Sequence, residues 1–140
     1  MSLTDNHQQH PIEGPVYPVV TPFTNDGNVD RDGLKNYIEY LVRNGAKNIL
    51  VTVGTSRFNL LSRDEMKDVN EVVSTTTYDK DVYTIVSGPG PHTGSTQENI
   101  EFATHANSVG ADAIMLLYPE RWYGMDSIIN FFRDIGKTTN

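Results

Sequence analysis

Cysteine is absent from the 140 residues, which excludes disulfides, thiolate catalysis and cysteine-ligated metal together. Basic charge is scarce. Eleven Lys and Arg stand against eighteen Asp and Glu, a formal charge of −7. Binding to nucleic acid needs a net basic face against the phosphates, so this balance argues against such a partner. A small anionic substrate is not excluded, since it senses only the field of its own pocket. Long apolar runs are also missing: the stretch Ala113-Ile114-Met115-Leu116-Leu117 is far short of the roughly 20 residues of a membrane-spanning helix. Residues 1–13 are polar, lack an apolar signal core and read as a flexible leader. They precede a single segment over residues 14–140, and a cytoplasmic location is the default expectation. The length is below the roughly 250 residues typical of a complete eight-stranded α/β barrel.

What the sequence does hold is a regular alternation. Four short runs, residues 16–21, 48–53, 82–87 and 113–118, recur roughly 32 residues apart, each rich in Val, Ile, Leu or Tyr. Such runs, closed by Gly or Pro, are the pattern of buried strands. A helical stripe follows each. Leu34, Tyr37, Ile38, Leu41 and Val42 fall on one face after Asp30, and Gly45 closes that helix. Ser62 and Glu65 have capping-box spacing ahead of Met66, Val69 and Val73; Ser95 and Glu98 repeat it ahead of Ile100, Ala103 and Ala106. Asp126 precedes Ile128, Ile129, Phe132 and Ile135. A weak echo links Gly45-Ala46-Lys47-Asn48-Ile49 with Gly110-Ala111-Asp112-Ala113-Ile114, two units apart. The spacing predicts a (βα)₄ chain with a parallel sheet and right-handed crossovers. It leaves two closures open: a complete, doubly wound open sheet, or half of a barrel with unpaired edges and an exposed apolar inner face.

In both closures, chemistry gathers at the carboxyl ends of the strands, which brings forward residues 22–29, 54–61, 88–94 and 119–125. Thr55 and Ser56, directly after the second strand, offer two hydroxyls and successive amides to a carboxylate or phosphate. Residues 88–94 form a glycine-rich loop, but its G-x-G-x-x-x-G spacing departs from the dinucleotide fingerprint, and its prolines remove amide donors. His92 in that loop has the chemistry of a base or substrate contact. Arg57 and Arg121 suit bidentate capture of a carboxylate. Tyr118, Trp122 and Tyr123 wall the end of the fourth strand. No set of metal ligands is recognisable. Of the five lysines, Lys35 and Lys67 fall within helices, Lys47 and Lys80 precede strands, and Lys137 lies in the tail. None ends a strand, where a desolvated amine would form a Schiff base.

Several of these motifs, taken in order, resemble the dihydrodipicolinate synthase / N-acetylneuraminate lyase family. They are Val19-Val20-Thr21-Pro22-Phe23, Gly27-x-Val29-Asp30, Asn44-Gly45, Gly54-Thr55-Ser56, Leu61-Ser62-Arg63-Asp64-Glu65, Ser87-Gly88-Pro89-Gly90, Gly110-Ala111-Asp112 and Phe131-Phe132-Arg133-Asp134-Ile135. The resemblance implies the N-terminal half of a (β/α)₈ barrel and aldol-type cleavage or condensation of a 2-keto acid such as pyruvate. It also implies a lysine Schiff base, no cofactor and a homo-oligomer. Thr55 and Ser56 match the hydroxyl pair of the family's Gly-Thr-Thr-Gly-Glu motif and inherit binding of the keto-acid carboxylate. The motif's second Gly and its Glu are Arg57 and Phe58 here. Glu120-Arg121-Trp122-Tyr123 follows Pro119 where many members have Pro-Tyr-Tyr, so no proton-relay residue carries over. The family's second catalytic tyrosine and its lysine belong to strands five and six, so the isolated chain is expected to be inactive. Arg57, His92, Arg121 and Tyr123 are expected to shape substrate choice. Two other readings compete: a non-catalytic, self-associating half barrel, and a small doubly wound nucleotide-binding domain built on residues 88–94.

Overall fold

A computed structural model describes residues 12–51, 54–90, 95–117 and 124–139. Four strands, β1 (Tyr17–Pro18), β2 (Asn48–Leu50), β3 (Tyr83–Ser87) and β4 (Ala113–Met115), alternate with helices α1 (Arg31–Arg43), α2 (Arg63–Thr77), α3 (Thr96–Ser108) and α4 (Met125–Gly136). Two single 3₁₀ turns, Gly54–Ser56 and Phe58–Leu60, fill the connection from β2 to α2. All neighbouring strands are parallel, in the order β1-β2-β3-β4. Every crossover therefore steps in the same direction. A doubly wound sheet needs a reversal of strand order, so the chain is half of a barrel.

The helices start where the capping residues placed them. Asp30 accepts the Gly33 amide at 2.9 Å. Ser62 and Glu65 form a reciprocal box, the Ser62 amide donating to the Glu65 carboxylate at 2.8 Å. That amide, and then the Ser62 hydroxyl, hold the Glu65 carboxyl below its ordinary pKa. The second box is only half made. Ser95 accepts the Glu98 amide at 3.1 Å, but the Glu98 carboxylate pairs with Arg63 Nε at 2.5 Å instead of reaching back. At α4 the cap position is Gly124, with no side-chain cap.

Between sheet and helices lies the main core, with a smaller cluster under α4. Val19, Ile49, Val51 and Val86 from the strands meet Leu34, Ile38, Met66, Val69, Val73, Phe102 and Ala106 from the helices. Phe102, which the expected stripe of α3 omitted, is among the largest fully buried side chains, with the Lys67 ammonium 5.2 Å from its ring centre. On α4 the expected stripe is displaced. Phe131 and Ile135 are buried against Ala103, with Ile100, Ile114 and Leu116 packed around them, whereas Ile129 and Phe132 remain exposed.

Strand alternation sends the remaining residues to the opposite, inner face. The register aligns Pro18, Leu50, Ile85 and Ala113 in one row across it. Pro18 is exposed and the other three only half-buried. In a closed barrel such rows are packed layers; here the inner face is open. The sheet is tied at its lower end by Asp112, which accepts the Thr84 amide at 2.7 Å, and by a 2.7 Å bond between the Thr77 and Thr84 hydroxyls.

Candidate functional site

The upper rim is built from the chain leaving β2, β3 and β4. After β2 the chain turns at once. The first 3₁₀ turn closes with the Arg57 amide donating to the Gly54 carbonyl at 3.2 Å. Arg57 then takes φ 56° and ψ 37°, a left-handed conformation that crowds Cβ against the backbone in any residue but glycine. This is the position at which the resembling motif carries glycine. The second 3₁₀ turn follows, with the Leu60 amide bonded to the Arg57 carbonyl at 2.8 Å.

The hydroxyl pair expected to act together is divided by this turn. Thr55 is exposed, and no hydrogen bond engages its hydroxyl among the described residues. Ser56 is wholly buried, and its hydroxyl donates to the Val19 carbonyl. Its own carbonyl accepts the Thr21 hydroxyl at 2.8 Å. A hydroxyl has one proton to give, so Ser56 gives it to β1. Arg57 is exposed beside them. His92, Arg121 and Tyr123, with Tyr118 and Trp122, lie outside the described residues.

A cavity of about 180 Å³ opens next to this turn, lined by Gly54, Phe58, Ser87, Gly88, Gly90, Met115 and Leu117. Its wall at the end of β3 is anchored from behind by Asn70. That buried amide donates to the Ser87 carbonyl at 2.9 Å and accepts the Ser87 amide at 3.4 Å. Arg63 reaches over from α2 to donate to the Pro89 carbonyl, so one guanidinium ties α2, α3 and the loop after β3. Neither Asn70 nor Arg63 was singled out as a site residue. Each lies in a helical pattern, and only the folded chain brings it to a strand end.

None of the five lysines stands at the rim. Lys47 pairs with Asp81 at 2.6 Å where β2 and β3 begin, and Lys80 bonds the Thr76 carbonyl at the end of α2. Lys67 covers Phe102, Lys137 pairs with Asp134 at 2.7 Å after α4, and Lys35 is exposed on α1. No group of three His, Asp or Glu side chains able to hold a metal ion comes together among the described residues. No described helix is long and apolar enough to cross a membrane.

Residues 11–140 match the model of the Dihydrodipicolinate synthetase family. A 4-hydroxy-tetrahydrodipicolinate synthase from Staphylococcus saprophyticus is 39% identical over 110 residues, covering 79% of this chain and 36% of the relative. Among solved structures, YagE is a prophage protein of the dihydrodipicolinic acid synthase family from E. coli K12, determined in complex with pyruvate. It superposes with a TM-score of 0.78 at 25% identity, over 89% of this chain and 41% of its own. N-acetylneuraminate lyase from Mycoplasma synoviae gives a TM-score of 0.74 at 27% identity, over 89% and 43%. The chain thus spans less than half the length of each protein it resembles here.

Proposed function

This chain belongs to the dihydrodipicolinate synthetase family, and from that premise we propose that it supplies the carboxylate-binding wall of a lyase acting on a small 2-keto acid such as pyruvate. The observation that carries the reading is the exposed Thr55 hydroxyl, unengaged among the described residues, on a turn bonded to β1 through Ser56. Thr55 donates to the substrate carboxylate. Ser56, expected to bind beside it, instead holds the turn in place. Arg57 is proposed to shape substrate choice, and so, on their place in the sequence alone, are His92, Arg121 and Tyr123. The pyruvate bound in YagE supports a keto acid as the ligand.

The reactive amine comes from a segment outside these 140 residues. Its attack on the keto carbon forms a C=N bond and releases the carbonyl oxygen as water with the two amine hydrogens. Borohydride reduction in the presence of pyruvate should leave the 140-residue chain unlabelled and label an eight-stranded version that contains it. An adduct on the short chain overturns the placement of the amine. An unlabelled eight-stranded version overturns the lyase reading.

A second reading is a self-associating, non-catalytic half barrel in the cytoplasm. The open inner face favours it: Val20 and Leu117 are 49% and 41% exposed, and β1 and β4 are the free edges of the described sheet. Covering apolar surface yields about 25 cal/mol per Å². Light scattering decides between the two readings, since a folded monomer at micromolar concentration removes self-association.

A further inference from the structure

One guanidinium holds the loop after β3 from behind. Arg63, the first residue of α2, donates through Nη1 to the Pro89 carbonyl and pairs through Nε with the Glu98 carboxylate of α3 at 2.5 Å. The two side chains are 34% and 25% exposed, so their charges are partly withdrawn from water and the pair weighs more than one on the open surface. The planar fork of arginine directs donors to two acceptors in a fixed geometry. A lysine ammonium, a point charge on a flexible stem, does not.

Glu98 forgoes a local bond to make this contact. Ser95 accepts the Glu98 amide at 3.1 Å, yet the carboxylate goes to Arg63, whereas the same spacing at Ser62 and Glu65 closes into a full capping box. On the turn after β2 a second local preference is broken. Arg57 is held left-handed at φ 56°, where glycine fits best. Its neighbour Phe58 lies against Gly90, the residue after Pro89: a Cβ on Gly90 would stand 3.1 Å from Phe58 Cδ2. Sequences depart from local rules chiefly where a site demands it, and these two departures meet at one contact, Phe58 against Gly90.

We infer that Arg63 is a positioning residue for the rim. With Glu98 it fixes Pro89 and Gly90, Gly90 sets the place of the Phe58 ring, and Phe58 belongs to the paired 3₁₀ turns that carry Thr55. The effect on substrate rests on the proposed role of Thr55, but the link from Arg63 to Phe58 is measurable without catalysis.

In an eight-stranded lyase containing this half, Arg63→Met should raise KM for pyruvate at least about fivefold with kcat little changed, since a small displacement of a binding group is costly. Arg63→Lys should fall between Arg63→Met and the parent, and it carries the same measurement if Arg63→Met does not fold. In a Thr55→Val background Arg63→Met should add nothing to KM, because the group it positions is gone. A purely structural arginine would lower the folded fraction, and with it the apparent kcat, at unchanged KM. That result overturns the inference, as does full additivity with Thr55→Val.

In the 140-residue chain, the NMR signals of the Phe58 ring should move in Arg63→Met and hold in Arg31→Met, which removes the ion pair from α1 to Asp68. Unmoved Phe58 signals in Arg63→Met overturn the link whatever the kinetics. Moved signals, with an eight-stranded version that pyruvate and borohydride leave unlabelled, would keep the link and remove the lyase. Labelling with unmoved signals would do the reverse.

Discussion

Thr21 donates its hydroxyl to the Ser56 carbonyl at 2.8 Å, and Ser56 donates its own to the Val19 carbonyl. The end of β1 and the turn after β2 are thereby joined by a pair of bonds running in opposite directions, both buried. The turn that presents Thr55 is thus held from the end of β1 as well as by its own bond from the Arg57 amide to the Gly54 carbonyl.

Removing the Ser56 hydroxyl leaves a buried carbonyl unpaired, which costs about 1–3 kcal/mol. Ser56→Ala should lower the denaturation midpoint accordingly. Thr55→Val, at an exposed position, should change stability by less than about 0.5 kcal/mol. In an active lyase containing this half, Thr55→Val should reduce kcat/KM for the keto acid at least tenfold, roughly 1.4 kcal/mol. Unchanged kinetics would remove Thr55 from the site.

Arg57 occupies backbone space suited to glycine. Relief of the left-handed strain outweighs the extra freedom glycine brings to the unfolded chain, so Arg57→Gly should stabilise by about 0.5–1 kcal/mol. Urea titration measures this, and a loss of stability would mean that the guanidinium makes a contact worth more than the strain.

Asn70 is completely buried and satisfies both backbone groups of Ser87. Asn70→Leu keeps the branched heavy-atom skeleton and removes both bonds. We expect a loss of about 2–3 kcal/mol, with faster amide exchange at Ser87 than in the parent. Protection of that amide in the variant would contradict the role.

Tyr83 has its pKa raised, first by burial and then by the nearby Asp112 carboxylate. The neutral phenol is therefore favoured by folding. Stability is fully present below the ordinary tyrosine pKa and falls as pH rises through the higher value of the folded state. Tyr83→Phe should flatten the alkaline limb of a stability–pH curve, and an unaltered limb would assign it to other groups.

Much of the frame was legible in the amino acids. Leu34 and Ile38 on α1, and Met66, Val69 and Val73 on α2, recur at helical spacing and are all buried, because periodicity records which side of a helix meets a core. Asp30, Ser62 and Ser95 marked helix starts because a cap is a local bond within one turn. The strands were legible as apolar runs but came out shorter, β2 ending at Leu50 and β4 at Met115, since a strand's length depends on its neighbours and not on its own hydrophobicity.

The site was only partly legible, and the reason is distance along the chain. Sequence alone determined that hydroxyls and glycines follow the strands and that no lysine ends one. The order β1-β2-β3-β4, the burial of Ser56, the pairing of Phe58 with Gly90 and the diversion of Glu98 to Arg63 were decided by tertiary structure. Each is a contact between groups about thirty residues apart, set by how rigid strands and helices pack, whereas spacing within a segment reports only what lies within one turn or one strand.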